Sequence, residues 1–241
     1  RLPEIRGDEL GDLSLAFNQM SERIREMLSA REQLLLDVSH ELRSPLTRMK
    51  VALEFIPEDA SRESLLDDVQ EMEQMVTEIL ETARLKSEYG QLNLQKTDLV
   101  KLIQDICITF EGQTPGIRFE NAPETCQTFA DAEQIETVLK NLLTNALKYS
   151  PAENAPVEIR LKKSDAGTLI EIQDHGPGIQ DGELDLIFEP FYRTDKSRNR
   201  KNGGYGLGLS LCKTIIEAHG GTIDVQSNTG KGAMFSLHLP K

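Results

Sequence analysis

The sequence predicts an α+β chain in two parts. A helical hairpin, pairing with a second copy into a four-helix bundle, precedes an α/β layer with helices on one face of a mixed sheet. Three observations predict this. Apolar residues recur at three and four as far as Ala83, then fall into short β-rich runs after Gly90. The second part also carries two glycine blocks, Asp174-His175-Gly176-Pro177-Gly178 and Gly204-Tyr205-Gly206-Leu207-Gly208-Leu209.

The first helix is read from Leu10, Leu13, Phe17, Met20, Ile24 and Met27, then Leu34, Val38, Leu42, Met49 and Leu53. This is a coiled-coil or bundle stripe in which the heptad gains a residue near Leu42. Pro57-Glu58-Asp59-Ala60-Ser61 breaks it, and Ser61 is expected to cap the next helix. Leu65, Val69, Met72, Val76, Ile79 and Ala83 form the second stripe. One hairpin cannot cover its own apolar face, so a homodimer is expected.

Beyond a boundary near Ser87–Gly90, strands are expected at Gln91–Leu94, Ile117–Glu120, Val157–Lys162, Thr168–Asp174, Thr222–Gln226 and Ala233–Leu239. Helices are expected at Asp98–Phe110, Ala132–Lys148, Asp181–Ile187 and Leu207–His219. Gly220-Gly221 and Gly230-Lys231-Gly232 mark turns.

Composition excludes some functions. A formal charge of −13 disfavours nucleic-acid binding, because neutralising phosphates takes Lys and Arg. The acidic run Glu58–Glu81 and the basic run Arg193–Lys201 read equally as solvated faces. Three cysteines, Cys107, Cys126 and Cys212, form no CxxC pair and fit a reducing cytosol. No apolar run reaches the roughly 18 residues of a membrane span. Starting at Arg1 in mid-pattern, the chain reads as a soluble, cytoplasmic piece of a longer protein.

Candidate site residues lie in both parts. Asn141 and Asn145 are four apart on a helix, and two amide oxygens on one face suit Mg²⁺, which takes few protein ligands beside substrate phosphates. Asparagines at that spacing also serve simply to bond loops. Lys148 could meet a phosphate and Tyr149 could stack on a base. Asp174 ends an apolar strand, where a fixed carboxylate can accept from an exocyclic amine such as that of adenine. Gly176 and Gly178 allow positive φ and close backbone approach. Gly204, Gly206 and Gly208, with Leu207 between, open a helix whose free N–H groups suit phosphate. This is not a Walker A loop, and no strand directly precedes Gly204 as a dinucleotide fingerprint requires. Between the blocks, Ile187–Arg193 leads into the polar stretch Thr194–Gly204, read as a mobile lid with Lys196, Arg198, Arg200 and Lys201 facing phosphate or solvent.

In the first part, Ser39-His40-Glu41-Leu42-Arg43-Ser44-Pro45-Leu46 puts one histidine on a helix. His40 lies two residues from Val38, about 200° round the helix, and so faces solvent. A neutral imidazole is nucleophilic at pH 7, and Glu41 can accept its proton as nitrogen attacks phosphorus. Pro45 cannot donate to the Glu41 carbonyl, so a bend beside the histidine is expected.

The order and spacing of these blocks resemble the boxes of the GHKL (Bergerat) ATP-binding fold in its sensor histidine kinase branch, and Ser39–Leu46 resembles the same family's histidine box. Leu2-Pro3-Glu4-Ile5-Arg6-Gly7-Asp8-Glu9-Leu10-Gly11-Asp12-Leu13, through Phe17-Asn18-Gln19-Met20, is similar to the second helix of a HAMP module. The resemblance implies three domains: the end of a HAMP module at 1–24, a dimerisation and phosphotransfer domain at 25–89, and a catalytic ATP-binding domain at 90–241. It implies ATP as substrate and Mg²⁺ on Asn141 and Asn145. Asp174 would read the adenine amine, Lys148 and Tyr149 would touch phosphate and base, and Arg193 would help the γ-phosphate. His40 would take the phosphoryl group and pass it to an aspartate on a response regulator receiver domain, and Ser44 would orient water for the reverse dephosphorylation. The parent would be an inner- or plasma-membrane protein whose spans lie upstream. Ala233 departs from the pattern, because some members of the wider fold have a hydroxyl there. A GHKL ATPase machine would want a Glu where Asn141 stands. A non-catalytic scaffold would not need Asn145, Asp174 and both glycine blocks.

Overall fold

A computed structural model describes residues 9–57, 59–86, 92–120, 123–165, 167–194 and 205–241, without the side chains of 9–10, 31–32, 35–36, 39–40 and 60. The chain divides into two compact units, Arg1–Ser87 and Glu88–Lys241.

The first unit is a hairpin of α1 (Glu9–Glu54) and α2 (Ala60–Lys86). Leu46 and Leu53 on α1 pack with Val69, Val76 and Leu80 on α2, and Leu66 covers the edge. Lys50 pairs with Glu73 at 3.2 Å, and Arg62 Nε donates to the Leu53 carbonyl at 2.7 Å, tying α2 to the end of α1. The cap of α2 differs from expectation. Asp59, not Ser61, accepts the Arg62 N–H at 2.7 Å, and Ser61 is already inside the helix. An Asp two residues earlier satisfies a free N–H and also sets negative charge at the positive helix end, together worth about 1–2 kcal/mol. Most of the apolar stripe is exposed, including Leu13, Phe17, Met20, Met27, Leu34, Leu42, Leu65 and Met72. Helix α1 runs through Pro45 without a break.

The second unit is a sheet with helices on one face. Strands β2 (Ile117–Glu120), β4 (Val157–Ser164), β5 (Gly167–Gln173), β7 (Ala233–Leu239) and β6 (Thr222–Ser227) lie side by side in that order. β2 and β4 are parallel and the other neighbours antiparallel. Cross-strand pairs Ile159–Ile172, Leu161–Ile170, Ile170–Leu237 and Ile172–Phe235 are buried. Alternate positions carry charge, as in the Lys162–Glu171 pair at 2.9 Å, which is the period-2 pattern of a half-covered sheet. Helices α3 (Leu99–Thr109), α4 (Ala132–Tyr149) and α5 (Gly208–Ala218) supply the rest of the core through Ile103, Ile135, Leu139, Leu142, Leu143, Ile215 and Ile216.

In this unit two expectations need correction and one strand was not foreseen. The first strand, β1, is Gln95–Asp98, not Gln91–Leu94. Its partner is β3 (Gln127–Ala130), which the sequence does not announce: only Thr128 and Ala130 face inward, while Phe129 stays 69% exposed. Asp181–Ile187 is two 3₁₀ turns, Asp181–Glu183 and Leu186–Phe188, rather than a helix. Gly182 weakens a continuous helix there, and Pro190 stops one.

Among the described residues no helix is long and apolar enough to cross a membrane.

Candidate active site

The C-terminal part of α4, the turn after β5 and the start of α5 converge in the second unit. Asp131 caps α4 by accepting the Gln134 N–H, and the buried stripe Ile135, Val138, Leu139, Leu142, Leu143 and Ala146 fixes its rotation. Asn141 and Asn145 therefore share one half-buried face, while Lys148 and Tyr149 at the last turn are exposed. Lys148 Nζ lies 5.2 Å from the centre of the Tyr149 ring.

Asp174 directly follows β5 and is buried. Its Oδ1 accepts two main-chain hydrogens, from Gly176 at 2.8 Å and Ala233 at 3.1 Å. Neither bond uses Oδ2, so the carboxylate is oriented by one oxygen and can accept with the other. Burial pushes the Asp174 carboxyl above its ordinary range, and the two N–H bonds and nearby His175 offset part of that rise.

The glycines are required by space. A Cβ on Gly176 would stand 2.7 Å from the Tyr149 carbonyl oxygen, and one on Gly232 would stand 2.0 Å from that of Asp174. Gly178, at φ +70°, would meet the Asn228 carbonyl at 2.4 Å. The turn after β5 is thus pressed between the end of α4 and the β6–β7 hairpin, with Ser227 Oγ accepting from Ile179 N at 2.8 Å and donating to the Gly232 carbonyl.

Helix α5 begins differently from its neighbours. Asp98 caps α3 and Asp131 caps α4, whereas Leu207 at the start of α5 makes no side-chain cap. The first N–H groups of α5 are therefore available to an anion. Gly208 lets this end approach α4: a Cβ there would lie 3.4 Å from Asn141 Oδ1. Gly206, at φ +76°, sits against the Tyr192 carbonyl, and its own carbonyl accepts the Phe191 N–H at 3.0 Å. Phe191 itself has a left-handed backbone, φ 64°, and the two residues close the base of the loop between them. Arg193 follows, half-buried, with Tyr192 Oη donating to Glu183 at 3.2 Å.

The structure thus brings together Asn141, Gly206, Leu207 and Gly208 on one side, and Tyr149, Asp174 and Gly176 on the other, along α4. Gly204 and the basic residues Lys196, Arg198, Arg200 and Lys201 lie outside the described residues. So does the His40 side chain, whose backbone is helical in α1, and Glu41 and Ser44 beside it are exposed. Sequence reasoning missed Ser150, Asn154 and the main chain of Ala233. At Ala233 only a side-chain hydroxyl was sought, whereas its N–H makes the contact. The Gly-Lys-Gly run before it was the available signal.

Three family models match consecutive segments: HAMP domain at residues 1–26, His Kinase A (phospho-acceptor) domain at 30–88, and histidine kinase-, DNA gyrase B- and HSP90-like ATPase at 130–241. This chain belongs to the sensor histidine kinases. Sensor protein ChvG of Rhizobium meliloti (strain 1021) is 33% identical over 98% of this chain and 44% of its own length. Sensor protein RstB of Escherichia coli (strain K12) is 34% identical over 97% of this chain and 54% of its own length. The chain spans about half the length of these curated relatives. Among solved structures, full-length ShkA in complex with AMPPNP matches with a TM-score of 0.68 and 27% identity, over 86% of this chain and 45% of that one. The catalytic domain of histidine kinase ThkA matches at 0.54 and 29%, over 62% of this chain and 99% of that one. The ATPase-family segment lies within the second unit, and the phospho-acceptor segment falls on the hairpin.

Proposed function

We propose that this chain is the kinase core of a two-component sensor that moves the γ-phosphoryl group of ATP to His40 and then to an aspartate of a response regulator receiver domain. The observation that carries the reading is the pairing, along one helix, of a buried oriented carboxylate at Asp174 with the uncapped start of α5 beside Asn141. That arrangement offers an acceptor for an adenine amine at one end and anion-binding N–H groups at the other. The match to a structure solved with AMPPNP supports ATP as the nucleotide.

Asn141 and Asn145 present hard amide oxygens on a half-buried face, a donor set that fits Mg²⁺. When bound, the ion neutralises phosphate charge. Asp174 orients the base through Oδ2, Tyr149 lies beside the turn that carries it, and Arg193 meets the γ-phosphate. At His40 an imidazole nitrogen forms a bond to the γ-phosphorus as the bond to the ADP oxygen breaks, and Glu41 takes the imidazole proton. ADP leaves with the electron pair. Ser44, four residues after His40 and on the same face, orients water against the regulator's aspartyl phosphate.

The exposed apolar stripe of α1 and α2 supports a homodimer whose hairpins form a four-helix bundle. Exposed Arg48, Val51 and Phe55 (84% exposed), with Ser64–Gln70, support receiver docking below His40. The domain limits 1–24, 25–89 and 90–241, and a place as the cytoplasmic portion of an inner- or plasma-membrane sensor, complete the proposal. Incubation with γ-labelled ATP and Mg²⁺ tests it. Acid-labile, alkali-stable label absent from His40→Gln is the expected result. Label that persists in His40→Gln would overturn the reading.

A further inference from the structure

We infer that Ser150 and Asn154, in the loop after α4, are positioning residues for adenine recognition, because they hold the Asp174 turn against the end of the helix that carries Asn141 and Asn145. The inference deepens the kinase reading and rests on it.

His175, the residue after Asp174, is gripped by its main chain on both sides. Its N–H donates to Ser150 Oγ at 3.2 Å, and its carbonyl accepts from Asn154 Nδ2 at 2.6 Å. Its ring Nε2 lies 3.7 Å from Glu158 Oε1 on β4, turned to the sheet. Both grips are preset by local backbone. Ser150 ends α4 with its N–H on the Ala146 carbonyl at 3.0 Å, and the residue is buried. Asn154 closes a turn, its N–H donating to the Pro151 carbonyl at 3.0 Å. Pro151 follows the cap directly and prevents α4 from continuing, which frees the loop to fold back.

These bonds do something the contacts of Asp174 itself do not. The N–H groups of Gly176 and Ala233 set the rotation of its carboxylate. They do not set where the turn stands relative to α4. Ser150 and Asn154 supply that link, and the fit of Gly176 under the Tyr149 carbonyl leaves the turn no slack on that side. The base-reading oxygen and the phosphate-facing helix are therefore held in one frame. Loosening the frame should cost the amine contact first and the phosphate contacts least.

Nucleotide titrations of the full chain with Mg²⁺ test this, using ATP and purine ribonucleoside triphosphate, which lacks the exocyclic amine. Asn154→Ala should weaken ATP about three- to tenfold, the worth of one hydrogen bond acting through position. Purine ribonucleoside triphosphate should bind the variant as it binds the parent, so the preference for ATP shrinks by the same factor. Ser150→Ala and the near-isosteric Asn154→Asp, which cannot donate to the His175 carbonyl, should move the preference in the same direction. Thermal midpoints measured alongside report any loss of fold. Equal weakening of both nucleotides, or an unchanged ATP preference in all three variants, would overturn the inference while leaving the kinase reading intact. A parent chain that binds neither nucleotide would overturn the kinase reading and this inference with it.

Discussion

The hairpin and the α/β unit solve opposite problems with similar residues. In the hairpin, a short row from Leu46 to Leu80 is buried while most of the apolar stripe faces out. In the α/β unit, Ile103, Ile135, Leu139, Ile159, Ile170 and Ile216 are all enclosed. The chemistry divides in the same way. Glu41 and Ser44 stand exposed on a regular helix, whereas Asp174 and Gly176 are buried and fixed by bonds from distant parts of the chain. A phosphoryl acceptor has to be presented to several partners in turn. A nucleotide site has to be organised before its ligand arrives, because a carboxylate that must rotate or shed water on binding contributes little selectivity.

The comparison can be broken from either side. The largest effect is expected from Asn145→Ala in the α/β unit, which should abolish labelling of His40 by removing a metal-positioning oxygen. Normal Mg²⁺-dependent labelling would show that Asn145 only packs. Next, Glu41→Gln in the hairpin should slow labelling by roughly 10²–10⁴, the usual worth of a general base, with ATP affinity unchanged. Single-turnover rates equal to the parent's would leave Glu41 an ordinary surface residue.

Asp174→Asn should weaken ATP roughly 10- to 100-fold, because an amide can still accept the Gly176 and Ala233 hydrogens yet sets a donor where the adenine amine needs an acceptor. The fold should survive. Burial favours the neutral acid and raises the folded pKa, so the stability that Asp174 contributes is complete below 3.8 and fades as pH rises through the folded value. Removing its charge at neutral pH therefore costs no stability. Binding runs the other way: adenine needs the ionised form, so ATP affinity should fall on acidification at a higher pH than an ordinary aspartate would give. Titration calorimetry across that range measures the shift, and affinity independent of pH down to the usual carboxylate range would contradict it. The smallest effect on labelling is expected from Ser44→Ala, which should leave autophosphorylation alone and remove hydrolysis of the regulator's aspartyl phosphate. Equal dephosphorylation rates with both forms would leave Ser44 without a role there.

The same contrast decides what could be read from sequence. Periodicity reached both hairpin helices and α3, α4 and α5, because each buries a long stripe with one period. It failed at β3, where two small inward residues carry no hydrophobic signal, and at Asp181–Glu183, where glycine and proline left only 3₁₀ turns. The chemical groups Asn141, Asn145 and Asp174 were legible as residue types at spacings. Their supports were not: Ser150, Asn154 and the Ala233 N–H lie 25, 21 and 59 positions from the residues they hold, and only Ala233 has a local mark, the Gly-Lys-Gly run before it. Long-range main-chain bonds leave little trace in a single sequence.

The central claim is that nucleotide recognition resides in the α/β unit, while the hairpin supplies the acceptor and the groups that act on it. ATP titration of the intact chain and its His40→Gln variant tests that division most directly. The account predicts the same affinity for both, with no label on the variant. Loss of ATP binding in His40→Gln would contradict it.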